Sequence, residues 1–206
     1  MRPTATTSKD TEKTDDLEAR ILDAALVQFE RVGVKKTTIE DVARQADVDR
    51  VTVYRRIGSR DDLVRAVTAR EVQKLLDELN DIPSRHETID DVVVAVFTTV
   101  VLSWRRHPLI DRMLTLEPER LLPQFTTDGG APFVLAVESA TTLLRNTLRD
   151  RDLPVAPDLR NRVEIACRIV HSIILQPVGT IDLDSDSDLT AFARAYLVPI
   201  ITAARD

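Results

Sequence analysis

Glycine occurs only five times in 206 residues, and no alternating apolar run bounded by turn residues is present, so the sequence lacks what a β-sheet requires. Apolar side chains recur instead three and four residues apart, the period of a helix with one buried face. Leu17, Ile21, Leu22, Ala25, Phe29 and Val32 open the series, and Gly33 fits the left-handed position just past a helix end. Further helices are expected at about 38–46, 50–57, 60–80, 88–106, 109–115, 118–127, 131–151, 158–176 and 187–204. Pro83, Pro108, Pro118, Gly129-Gly130, Pro154, Pro157 and Pro177 fall between these segments, where helix breakers are tolerated. Pro123 and Pro199 lie inside expected helices and predict kinks or shortened ends. The expected fold class is all-α with about nine to ten helices. Residues 1–15 lack an apolar period and read as a disordered tail, residues 16–60 as a small three-helix unit, and residues 61–206 as a larger helical bundle joined to it by helix 60–80.

Several chemistries find no support. A lone cysteine, Cys167, excludes an internal disulfide and a cysteine-pair zinc site, and its apolar neighbours read as packing. Gly-x-Ser-x-Gly, Gly-x-x-x-x-Gly-Lys and His-Glu-x-x-His are all missing, so no catalytic residue, metal ligand or cofactor is expected. No segment approaches the roughly 18 to 20 apolar residues of a membrane span, and the polar N-terminus lacks a signal-peptide core, so the cytoplasm is the expected compartment and no membrane partner is expected.

The net charge of −6 argues against nucleic acid until its distribution is considered. Residues 31–60 hold eight basic side chains against four acidic ones, whereas residues 61–206 hold 16 basic and 23 acidic. Attraction to phosphate therefore has to come from one short segment rather than from the overall field.

That segment has its own punctuation. Thr38 precedes Asp41 by three positions just before an apolar pattern, a capping-box start for a short helix in which Ile39, Val42, Ala43 and Ala46 face inward. Asp47 suits a left-handed turn, Val48 an apolar plug and Asp49 the cap of a second short helix. On that second helix Val53 and Ile57 lie about 40° apart and form the core-facing pair. Val51 and Arg55 point almost directly away from it, Thr52 and Tyr54 project to the flanks, and Arg50 and Arg56 lie nearer the core side. This is the layout of a helix that reads a DNA major groove. Val51 and Arg55 can meet base edges, while Thr52, Tyr54 and Arg56 can hold phosphates. Gly58 ends the helix, Ser59 caps the next with Asp62 at its third position, and Arg60 is a further candidate phosphate contact. The candidate DNA-binding set is Thr38, Arg50, Val51, Thr52, Tyr54, Arg55, Arg56 and Arg60.

Phe29 and Gly33, Thr38-x-x-Asp41-Val42-Ala43, Ala46-Asp47-Val48, Thr52-Val53-Tyr54 and Ile57-Gly58-Ser59-Arg60-Asp61-Asp62-Leu63 together resemble the TetR family of bacterial transcriptional regulators. Three positions depart from the family pattern: Asp47 replaces the usual turn glycine, Asp49 stands where serine is common, and Ile57 replaces the usual phenylalanine. The resemblance implies a three-helix DNA-binding unit, a connecting fourth helix and a C-terminal domain for effector binding and dimerisation. It further implies a repressor, released from an inverted-repeat operator of double-stranded DNA by a small apolar molecule. Phe97, Val100, Trp104, Met113, Leu121 and Phe125 are candidate walls for that effector, with Glu138 and His171 as polar contacts, although the same stripes equally describe plain core. Phe133, Val137, Ala140, Leu144 and Leu148, and Val163, Ala166, Val170, Ile173 and Ile174, form two apolar seams from which a homodimer can build a four-helix interface. The alternative is a TetR-like fold serving as a protein-interaction module without operator specificity.

Overall fold

The computed structural model describes the backbone of residues 7–203 and the side chains of residues 16–203 other than Gln124. All the regular structure among these residues is helical: α1 (Thr7–Val32), α2 (Ile39–Gln45), α3 (Arg50–Arg56), α4 (Arg60–Arg85), α5 (Ile89–Arg106), α6 (Pro108–Leu116), α7 (Pro118–Phe125), α8 (Gly130–Asp150), α9 (Leu159–Leu175), α10 (Asp186–Phe192) and α11 (Val198–Thr202), the last two joined by a π-helical turn over Ala193–Leu197. None of the described helices is long and apolar enough to cross a membrane.

Helix α1 begins at Thr7, so residues 7–15 are helical where a disordered tail is expected, and residues 1–6 of that tail lie outside the described residues. Pro3 is the last helix breaker before Gly33. A helix already fixed by Ile21, Ala25 and Phe29 extends backwards one residue at a time without repeating the cost of nucleation.

Two compact units divide the chain. One takes the chain as far as Gln73 together with Pro108–Pro118, and the other takes Lys74–His107 and the chain from Glu119 onward. The division expected at residue 60 places α6 and the start of α4 with the later helices, but their contacts place them with α1, α2 and α3. In this first unit Ile21, Ala25, Phe29, Val34, Val42, Val53, Leu63 and Val67 are each no more than 1% exposed. Apart from Ala25, each such side chain contributes roughly 1.5–3 kcal/mol by leaving water, so the short helices α2 and α3 are held by packing rather than by their own propensity.

The second unit is built on α5, whose Val92, Val93, Val94, Phe97 and Val101 are buried. Val137, Leu144, Leu148 and Val163 join them in one cluster, and Phe133, Ala140, Ala166, Val170 and Ile173 pack against it. Every residue of the two seams expected at a dimer interface, Ile174 excepted, thus lies in or against this chain's own core. Periodicity identifies a buried face without saying what buries it. The outward faces of α8 and α9 carry different apolar residues, Val134, Leu135 and Ile165, each about half exposed.

Prolines act locally. Helix α4 continues through Pro83 to Arg85, past its expected end, because the Arg151 guanidinium donates to the carbonyls of Pro83 (2.8 Å), His86 (2.6 Å) and Glu87 (2.9 Å) that close it. Helix α7 stops at Phe125, two residues after Pro123 and short of the expected 127. Pro199 has no N–H to return to the preceding turn, and the π-helical turn before it absorbs the defect, with the Val198 N–H reaching Ala193 O five residues back.

Candidate nucleic-acid interface

The path into the interface is set by backbone chemistry. Gly33 closes α1 with φ +87°, and its N–H donates to Phe29 O at 2.9 Å. Thr38 then caps α2. Its Oγ1 accepts from the Asp41 N–H at 3.1 Å and donates to Asp41 Oδ2 at 2.6 Å, while the Thr38 N–H donates to the same carboxylate oxygen at 3.2 Å. These bonds from Thr38 hold the Asp41 carboxyl below its ordinary value, with Arg44 contributing. Thr38 is exposed, but its hydroxyl is committed to the cap.

The turn between α2 and α3 bears out the sequence reading. Asp47 adopts φ +52°, and the Val48 N–H donates to Ala43 O at 3.0 Å. Asp49 caps α3 by accepting the Thr52 N–H on Oδ1 at 2.6 Å, and that bond holds its carboxyl below the ordinary range. The aspartate that stands where serine is common in the family pattern is thus committed to the helix terminus. Two contacts from α1 reinforce the turn: Arg20 donates to Ala46 O at 2.8 Å, and the buried Gln28 donates to Gln45 Oε1 at 3.1 Å. No motif in the sequence announces them, because a polar residue on an amphipathic helix normally signals solvent.

Helix α3 presents the expected face. Val53 is 0% exposed and locks the helix inward, whereas Val51 is 71% exposed. Tyr54, Arg55 and Arg56 are exposed and Thr52 is half-buried. The Arg50 guanidinium lies across the Tyr54 ring, 5.3 Å from its centroid, and donates to the hydroxyl at 3.2 Å. Arg50 therefore stands with Tyr54 as one unit on the flank, where the helical wheel gives only an arginine near the core side.

Arg60 requires a correction. Its Nε donates to Thr37 O at 3.0 Å and its other arm to Val34 O, so the guanidinium is turned onto the loop before α2. At the start of α4, Ser59 and Asp62 form a reciprocal cap, with the Ser59 N–H on Asp62 Oδ2 at 2.8 Å and the Asp62 N–H on Ser59 Oγ at 3.3 Å. The carboxylate fills the place an incoming phosphate would take. Gly58, at φ +108°, makes room for it, since a Cβ there would lie 2.7 Å from Asp62 Oδ2. Lys35 and Lys36, exposed on the same loop, add basic charge that the sequence reading counted but did not assign.

The candidate effector contacts separate. Trp104 and Phe125 meet edge to face at 4.5 Å, Phe125 stacks on His171 at 6.4 Å, and Phe133 lies 5.8 Å from His171, giving a continuous aromatic row across α5, α7, α9 and α8. Phe97 is buried against Phe192, Leu121 is buried, and Val100 is half-buried. Met113 is buried in the first unit. Glu138 does not join the row, because it is exposed on α8 and paired with Arg160 at 2.7 Å. An open groove of about 350 Å³ runs along Ile169, Ile173, Gln176, Thr180, Leu183 and Phe192; none of the candidate wall residues named from the sequence lines it, and Phe97 reaches it only by stacking on Phe192 at 5.7 Å. Cys167 packs against the core, and burial pushes its thiol up to about 11.

Residues 21–67 match the family model described as bacterial regulatory proteins, tetR family. Over these residues the chain is similar to the TetR family. The match spans the end of α1 through the first part of α4 and so takes in every element that positions the α3 face. No curated protein sequence matches the chain significantly. Among solved structures, the TetR-family repressor AlkX from Dietzia sp. strain DQ12-45-1b, implicated in biodegradation of n-alkanes, is similar with a TM-score of 0.61 at 24% identity, over 89% of this chain and 94% of that one. The R. erythropolis repressor QsdR of the same family gives 0.59 at 17% identity, over 93% and 97%. The superantigen PfiT gives 0.59 at 16% identity, over 91% and 97%. At these identities the likeness establishes the TetR-family fold along nearly the whole chain, and the last example shows one fold under a different job description.

Proposed function

We propose that this chain is a DNA-binding transcriptional regulator that grips an inverted-repeat operator as a homodimer and releases it when an apolar molecule binds its C-terminal unit. The observation that carries the reading is the α3 face. Val51 stands 71% exposed among Arg50, Tyr54, Arg55 and Arg56, on a helix whose opposite side is anchored by the fully buried Val53. A valine that prominent is poorly placed for solvent and well placed for the thymine methyl in a major groove, with the arginines serving base edges and phosphates. One helix of this length reads only a few base pairs, so two copies are required for a useful site. Val134, Leu135 and Ile165 on the outer faces of α8 and α9 supply the apolar surface for pairing. The aromatic row of Trp104, Phe125, His171 and Phe133 is the proposed effector contact.

Selection of bound fragments from a random duplex pool, followed by titration at several salt concentrations, tests the reading. The expected result is an enriched inverted repeat bound at least about a thousandfold tighter than random duplex, with affinity falling steeply as salt rises. Equal affinity for random duplex at physiological salt overturns it and favours the interaction module.

A further inference from the structure

The groove along α9 lies within the second unit, and none of Trp104, Phe125, His171 and Phe133 lines it. Ile169, Ser172, Ile173 and Gln176 follow one another at i, i+3, i+4 and i+7 along α9 and its C-terminal cap, the spacing that brings them onto one stripe. The chain that follows brings Thr180 and Leu183 to the same groove, and α10 brings Phe192. Two of these residues are fixed from outside. Phe192 is held between the rings of Phe97, at 5.7 Å, and Tyr196, at 5.0 Å. Leu183 is buried, and its carbonyl accepts from Arg105 at 2.6 Å. Between α9 and Leu183 the loop leaves Val178 78% exposed and Ile181 51% exposed. Apolar side chains left in water beside a formed concavity are surface that a bound apolar molecule can cover. At about 350 Å³ the groove falls in the usual range of small-molecule sites, roughly 300–1,000 Å³.

The lining selects by charge. No charged side chain lines the groove, so neither a carboxylate nor an ammonium group finds a counter-ion there. The arginines on the elements around it are already engaged: Arg105 on Leu183 O, Arg106 with Asp186 at 2.9 Å and Arg168 with Glu164 at 2.6 Å. Asp182 and Asp184 alternate with Ile181 and Leu183 along the loop, and their charge adds to the penalty for an anion. Neutral hydrogen-bonding groups are present instead. Ser172 and Thr180 supply hydroxyls, and Gln176, whose Nε2 donates to Val178 O at 3.0 Å, keeps its side-chain oxygen as an acceptor. We propose that this groove is a binding site for an uncharged amphiphile, a small molecule with an apolar body and one neutral oxygen group. It is a second site, apart from the aromatic row, and it stands independently of the operator-binding reading.

Titration of the methyl-labelled full chain with 1-octanol, followed by NMR, tests the site without DNA. Saturable shifts are expected at the methyl groups of Ile169, Ile173 and Leu183, larger than any at the Trp104 indole N–H. Octanoate and octylammonium keep the chain and charge the head, and are expected to bind about tenfold and about threefold more weakly, or weaker still. Thr180→Trp fills the groove from an exposed loop position, so it should cost 1-octanol about tenfold in affinity while the chain melts close to the parent. No saturable shift up to the solubility limit of 1-octanol overturns the site. Shifts centred on Trp104 overturn it too, by moving the molecule to the aromatic row. A charged head bound as tightly as 1-octanol overturns the ligand class, and an unchanged affinity in folded Thr180→Trp overturns the placement.

Discussion

The Tyr54 ring carries the Arg50 guanidinium, 5.3 Å from its centroid, and fixes it with a hydroxyl contact of 3.2 Å. An arginine held across a ring has its fork pre-set, and less rotamer freedom is lost when it meets DNA. The benefit comes from the ring and the hydroxyl separately.

Tyr54→Phe keeps the ring and loses the hydroxyl, so operator affinity is expected to fall about two- to tenfold. Tyr54→Ala should fall further, to about the level of Arg50→Ala. Melting temperatures of all three should stay close to the parent, since these side chains are exposed. Fluorescence anisotropy on the selected operator measures the order, and an Arg50→Ala variant as tight as the parent removes Arg50 from the interface.

Arg60 separates stability from binding. Its guanidinium satisfies Thr37 O and Val34 O in a partly buried setting, so Arg60→Ala is expected to destabilise the first unit by about 1–3 kcal/mol. Arg55→Ala, by contrast, should weaken operator binding and lower the salt slope by roughly one per helix, with little change in melting. Chemical denaturation paired with anisotropy distinguishes the two. Equal effects of both variants on stability contradict the assignment of Arg60 to the loop.

The helix-turn-helix was legible because its information is local. A cap three residues before a carboxylate, an aspartate at the left-handed turn and an inward valine on a short helix are decided by neighbours in sequence, and Thr38, Asp47, Asp49 and Val53 all stand where the pattern puts them. Arg60 was misread because the carbonyls it satisfies lie more than twenty residues earlier. The hydrogen bond from the Lys35 N–H to the Glu117 carboxylate was hidden for the same reason, its two partners being 82 residues apart. The C-terminal candidates fared according to chemistry. Aromatic residues gathered because large rings seek one another in a core, whereas Glu138 found a surface partner on the adjacent helix. The apolar seams of α8 and α9 were correctly periodic, and Val137, Leu144, Leu148 and Val163 among them are buried in this chain's own core.

The capping carboxyls make the first unit sensitive to acid. Asp41, Asp49 and Asp62 all titrate below their ordinary value of 3.8 in the folded chain, chiefly through hydrogen bonds from Thr38, Thr52 and Ser59. Since the unfolded chain takes up these protons first, their stabilisation is complete above about pH 4 and is lost as pH falls through the folded values. Thermal melts followed by circular dichroism should show a stability loss below about pH 4 that is smaller in Asp49→Asn, which keeps an acceptor for the Thr52 N–H without a titrating group. An acid profile identical in parent and variant shows that the Asp49 cap does not contribute to the transition.

Pairing of two chains is expected on the outer faces of α8 and α9, since their inner faces are already consumed by the chain's own core. Leu135 is 56% exposed and Ile165 52% exposed, and neither contributes to the buried cluster, so each can accept a charge without opening a cavity. Leu135→Glu and Ile165→Glu should therefore melt close to the parent while sedimenting as monomers in analytical ultracentrifugation. Because a specific site on an inverted repeat draws on both recognition helices, each variant should also lose operator affinity far beyond any loss on random duplex. A Leu135→Glu, Ile165→Glu double variant that still sediments as a dimer places the interface elsewhere on the chain.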